Sequence, residues 1–283
     1  MRSKRLDGVI SPHQSCCKWP SLLGESVVMA PVSKKSIRVW LSAFVLVMGL
    51  AGIPSSMAAG VEGDYLYKVS LVRAAPGKLL ELIEMIKANQ PAGREDEAGD
   101  LGPFVMRHSQ GDQWDLLLMY PAGDYGRYFA EERNVARAAA SAFRTRFNAL
   151  AAFKEDMFAF GPELDLVRSA FAENGFYHVE IFNALPGKHE ELLEERRMEN
   201  AYLIGIGKRP NMIWRVDQGS DADSFTIGFY TSLQDYAAPA AVTDSEERNR
   251  IAIEAGFEGR EYIGTYLREL ISRHHDTLAV SVH

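Results

Sequence analysis

The chain has 283 residues, 47% of them hydrophobic, and a formal net charge of −7. That acidic balance excludes nucleic acid as a partner, because phosphate binding needs a basic face. The two cysteines, Cys16 and Cys17, lie side by side near the start. The rest of the chain therefore holds no disulfide, thiolate metal site, cysteine nucleophile or covalent haem attachment.

Residues 1–28 mix Pro, Ser, Gly, Cys and charge without periodicity and are expected to be a non-native or disordered extension. Residues 29–59 read as a signal peptide. Lys34, Lys35 and Arg38 are its positive start, and Trp40 to Ile53 is an apolar run of 14 residues. Pro54 breaks the run, and Ser55 to Ala59 supply small residues for cleavage. A spanning helix needs roughly 20 apolar residues, so cleavage after Ala58 or Ala59 is expected rather than stable membrane insertion. A start at Met29 gives a signal peptide of ordinary length, with Met1 the alternative start, and the expected destination is periplasmic or secreted.

The part from Gly60 onward has room for one large or two small domains. Residues 65–73 alternate and are rich in β-formers, which predicts a strand. Pro76-Gly77 is a turn, and the apolar spacing from Leu79 to Ile86 predicts a helix. Strands are predicted at 103–108 and 114–120, around the turn signal Ser109-Gln110-Gly111-Asp112. A long Ala-rich helix is expected over 124–152, then a short closing strand from Met157 to Phe160.

The same order then recurs. Strand 176–183, helix 187–203, strands 211–217 and 224–231, a helical region over 245–273 and a last strand from Thr277 to Val282 are predicted. Aligning Pro76 with Pro186 brings Tyr67, Val69 and Leu71 onto Tyr177, Val179 and Ile181. Arg107 meets Arg215, Tyr120 meets Tyr230, and Asp124-Tyr125 meets Asp235-Tyr236. Several matches in order at nearly one spacing mark a duplicated unit. The expected organisation is a first ferredoxin-like unit at 60–162, a linker at 163–174 and a second unit at 175–283.

The strand–Pro-Gly-Lys–helix start of both copies, at 74–78 and 184–188, resembles the dimeric α+β barrel superfamily. It is most similar to the NIPSNAP-type and antibiotic-biosynthesis-monooxygenase-type domains. The resemblance implies an α+β fold in which two tandem ferredoxin-like units, each with an antiparallel sheet, form a pseudo-dimer. It also implies sheets facing across a cavity, with helices outside. On that expectation Tyr67, Val69, Leu71 and their counterparts pack under the helices. Lys68, Ser70 and Val72, with His178, Glu180 and Phe182, face the cavity.

Candidate chemistry follows from that face. His178 and Glu180 are two apart on a strand and project from one side, so they are either an acid/base pair or a solvated ion pair. Arg107 and Arg215 suit a carboxylate ligand, or else pair with Asp124 and Asp235. Lys68, Ser70 and Trp214 complete the expected ligand-binding set. His274-His275-Asp276 offers three donors in a row, but neighbours on a strand point opposite ways, so no metal ligand set is expected. The sequence assigns no cofactor. Three functions stay open: a binder of a small aromatic or acidic molecule, a cofactor-independent monooxygenase or haem-handling enzyme using the same pocket, and a module that assembles into homo-oligomers through its sheet faces.

Overall fold

A computed structural model describes residues 60–89 and 101–282. The expected leader and the segment before it lie outside the described residues. In the first half, β1 is Tyr65–Ala74, α1 is Leu79–Asn89, β2 is Phe104–Gln110 and β3 is Leu116–Gly123. Three helices follow, α2 (Tyr125–Tyr128), α3 (Glu131–Ala139) and α4 (Ser141–Leu150), before β4 (Ala151–Gly161). The segment between the halves holds α5, Leu164–Glu173. The second half runs β5 (Phe176–Ala184), α6 (His189–Gly205), β6 (Met212–Gln218) and β7 (Ser224–Tyr230). It ends with α7 (Leu233–Tyr236), α8 (Ser245–Glu254), α9 (Ile263–Leu270) and β8 (Ile271–Ser281). Among the described residues no helix is long and apolar enough to cross a membrane.

The strands form one closed antiparallel barrel in the order β1-β3-β2-β8-β5-β7-β6-β4. Each half contributes four consecutive strands of that ring. Two seams join the halves. At one, His108 of β2 pairs with Ala279 of β8. At the other, Ala159 of β4 pairs with Val216 of β6. The barrel therefore closes within a single chain.

The expected assignment of faces is inverted. Tyr67, Val69 and Leu71 do not pack under the helices; with Tyr177, Val179 and Ile181 they fill the barrel interior. Trp114, Trp214, Phe225 and Phe229 complete that interior. The space between the sheets is thus a packed core, where the sequence suggested a ligand cavity. The outer face of β1 and β3 packs on α1 and α4 through Val72, Leu116, Leu118, Leu82, Ile86 and Phe147. The reason is that the opposite sheet, not the helices, buries the apolar face of β1 and β5, which leaves Lys68, Ser70, His178 and Glu180 on the outer face.

The closing strands are also longer than expected. Residues 151–152 and 271–273, expected at the ends of helices, and the residues between them and the expected strands at 157–160 and 277–282 all extend β4 and β8. Neither stretch has a helix breaker. The free edges of β1 and β5 override propensity: Ser70 pairs with Asp156, and Glu180 with Asp276. Those long strands carry the aspartates that matter below.

Candidate functional site

The outer face of the second half is where the charges collect. His178, Glu180 and Phe182 of β5 point toward α6, beside His274 and Asp276 of β8. Glu180 lies opposite Asp276 and Phe182 opposite His274 in the ladder. His178 Nε2 is 3.4 Å from Asp276 Oδ1, and His274 Nε2 is 2.9 Å from Asp276 Oδ2. One carboxylate thus bridges two imidazoles. Phe182 and His274 stack with ring planes 6° apart. Tyr236 of α7 lies 5.4 Å from the His178 ring, centroid to centroid.

Glu180 is buried and held from several sides. Its Oε2 accepts from Thr226 Oγ1 at 3.0 Å and from Asn211 Nδ2 at 3.4 Å. Arg196 of α6 approaches Oε1 at 3.9 Å. The same guanidinium binds Glu195 at 2.5 Å and Glu199 at 2.6 Å and lies over the Phe182 ring. Asn200 and Asn211 exchange two hydrogen bonds, 2.8 and 2.7 Å, that tie α6 to the start of β6.

This composition departs sharply from the first half. Where α6 buries Glu195 and Arg196, α1 buries Met85 and Ile86 at the corresponding positions. Burying a charge costs several kcal/mol, of order 3–5 when its partner is missing, whereas methionine or isoleucine would pack freely. Charges at core positions of a helix make this part of the second half the candidate site. Three carboxylates, Glu180, Glu195 and Glu199, meet one guanidinium, and Asp276 lies on the far side of His178.

The protonation equilibria reflect this. Burial pushes Glu195 up to about 7, against the pull of Arg196. Burial also raises Glu199, again over Arg196. For His178 burial alone would lower the pKa, but the bond to Asp276 and the charges of Glu180 and Asp276 outweigh it and raise it. Asp276 is held below the usual carboxylate range, chiefly by its bond to His178.

No family model matches the chain, and no curated protein matches it. Among solved structures, an anthrone oxidase-like protein superposes with a TM-score of 0.52 at 16% identity, over 79% of this chain and 94% of its own. The chain has the fold of the dimeric α+β barrel superfamily. A candidate monooxygenase from Fusobacterium nucleatum gives a TM-score of 0.48 at 12% identity over 78% of this chain and 94% of that one. One from Lactobacillus acidophilus gives 0.44 at 11% over 78% and 95%.

Around the barrel, the remaining sequence candidates separate. Lys68 and Ser70 occupy the first-half positions equivalent to His178 and Glu180. Lys68 Nζ lies 3.6 Å from Asp156 Oδ2, Lys154 lies 2.5 Å from the same oxygen, and Ser70 donates to Asp156 Oδ1. Two lysines and a hydroxyl there satisfy one carboxylate, so this cluster carries no surplus of negative charge. Burial lowers the Lys68 pKa. Burial would raise Asp156, but Lys68, Lys154 and Ser70 outweigh it and lower it.

Trp214 is fully buried inside the barrel and stacks on Phe225 with centroids 5.2 Å apart. Arg215 is half exposed, 3.8 Å from Asp64 and over the Phe160 ring. Arg107 is exposed on β2. None of these three joins the His178 cluster. Two surface hollows also lie apart from it. One of about 660 Å³ runs past Val61, Asn174, Arg209, Met212 and Phe229; the other borders Gln113, Ser220 and Arg273. Sequence reasoning missed Glu195, Arg196 and Glu199 altogether. Their signal was present, because positions 192, 195, 196 and 199 share one helix face.

Proposed function

We propose that the protein is an enzyme that oxidises a small carbon acid, such as an anthrone or a related aryl ketone with an acidic CH2 group, at the His178–Asp276 pair of the second half. The observation that carries this is a histidine oriented by a carboxylate at 3.4 Å beneath a tyrosine ring, on a sheet face roofed by a charge-bearing helix. His178 accepts the proton of an acidic C–H, and Asp276 holds the imidazole and stabilises its cation. Tyr236 offers a flat wall for an aromatic substrate. The overall change is that of a CH2 group and O2 giving a carbonyl and water, which needs no further reductant. The similarity to an anthrone oxidase-like protein supports the substrate class by analogy of fold only.

A haem reading of this site has less support. Around His178 stand Glu180, Glu199 and Asp276 with the single ring of Tyr236, whereas a porphyrin needs broad apolar walls. The leader at 29–59 supports export, which N-terminal sequencing of the protein from its native host would test.

The deciding experiment is oxygen uptake by the purified protein with anthrone. Uptake that is lost by at least a hundredfold in His178→Ala, with an unchanged circular dichroism spectrum, is the expected result. Equal turnover in the folded variant would remove His178 from the chemistry.

A further inference from the structure

The geometry points to a divalent transition-metal site formed by His178, Glu180 and Asp276. This goes beyond the oxidative reading and does not need it. One donor atom from each of the three side chains lies within 4.8 Å of the other two. Donors bound at about 2.1 Å to a common ion sit about 3 to 4 Å apart, so small side-chain adjustments complete the set. The donors come from two adjacent strands. Glu180 and Asp276 face each other in the ladder, and His178 is two residues before Glu180 on the same face. Strands fix donor positions more firmly than loops do.

Two independent features favour an ion there. The first is charge. Glu180, Glu195 and Glu199 share a single guanidinium, Arg196 of α6, and Asp276 beside them meets only the imidazoles of His178 and His274. A dication offsets that surplus, whereas the equivalent first-half cluster, with two lysines on Asp156, has no such surplus. The second is the arrangement behind the donors. Thr226 and Asn211 hold Glu180 Oε2, and His274 holds Asp276 Oδ2. Outer partners of this kind orient metal ligands and set their basicity. An imidazole with two carboxylates suits Mn2+, Fe2+, Co2+ or Zn2+ better than Ca2+ or Mg2+. Half-exposed Asp276 gives the ion a path from solvent. With an ion bound, His178 acts as a ligand; in the metal-free protein it is the proton acceptor.

The test is calorimetric titration of chelator-treated protein with MnCl2 and ZnCl2, followed by anomalous diffraction from a zinc-soaked crystal. Expected are one tight equivalent, a rise in Tm on loading, and anomalous density between His178, Glu180 and Asp276. His178→Ala, Glu180→Gln and Asp276→Asn should each weaken binding at least tenfold, while Asp156→Asn leaves it unchanged. No binding by the folded wild-type protein, or zinc density only at other surface histidines such as His189, overturns the site. Diffraction on the wild-type protein decides even where a variant fails to fold. Metal binding without oxygen uptake would retain this site and refute the proposed oxidation. Uptake by metal-free protein that binds no ion would do the reverse.

Discussion

Glu195 shows how a single residue sets the balance of the site. It is fully buried, its Oε1 has no hydrogen-bond partner, and burial raises its pKa to about 7. A carboxyl that is more basic folded than unfolded binds its proton more tightly in the native state. Its contribution to stability is therefore greatest below the unfolded value near 4.5 and is lost as pH rises toward about 7. Glu195→Gln should accordingly raise Tm at pH 8 and change it little at pH 5. Thermal unfolding followed by circular dichroism at the two pH values checks this. An equal effect at both would mean that Glu195 is ionised throughout.

At the scale of elements, α6 and the β-hairpins do the positioning. Restoring the first-half pattern with Glu195→Met and Arg196→Ile together replaces a buried ion pair by apolar packing. Such replacements are often neutral or stabilising by about 1–4 kcal/mol. Here Glu180 and Glu199 still lose their shared cation, so the double variant should be less stable than the wild type but more stable than one that keeps Glu195, while losing oxygen uptake. Arg196→Met alone should destabilise by about 3–5 kcal/mol, because it strands buried carboxylates. Denaturant titration separates the two cases. The hairpin glycines make a second test. Gly111 has φ 122°, and a Cβ there would come 2.2 Å from the carbonyl oxygen of Asp276. Gly219, φ 93°, stands in the same relation to Asp156, at 2.3 Å. Each half thus buttresses the aspartate of the other across a seam. Gly111→Ala should impair oxygen uptake more than Gly219→Ala does, since only the former displaces Asp276.

For the whole molecule, the decisive feature is that the interior belongs to both halves. Tyr67, Met119 and Met157 from the first half and Tyr177, Trp214 and Phe225 from the second share one cluster. A separated half would expose that face and lose both seams, and a small unit has little burial to spare. Residues 60–162 and 163–283 made as separate chains should be aggregated or unfolded alone. Mixed during refolding, they should give a one-to-one complex. Light scattering after size exclusion would show it, and two independently stable monomers would contradict the shared core.

The amino-acid order alone determined the repeat, the succession of strands and helices in each half, and the α+β class. These are local: apolar periodicity, turn residues and self-similarity all act over a few neighbours. The pair His178–Glu180 was equally legible, since alternation along one strand fixes a shared face. The sequence could not say which face looked outward. Both faces of each sheet are covered, one by helices and one by the opposite sheet, so an apolar face and a polar one could be told apart but not assigned to a layer. Nor could it bring Asp276 to His178, nearly a hundred residues away, because only strand pairing sets that register. The extension of β4 and β8 had the same origin, with open edges of β1 and β5 claiming residues whose own preferences were neutral. Tertiary structure therefore decided where the candidate site lies: outside the barrel, under α6, whose buried face carries Glu195 and Arg196.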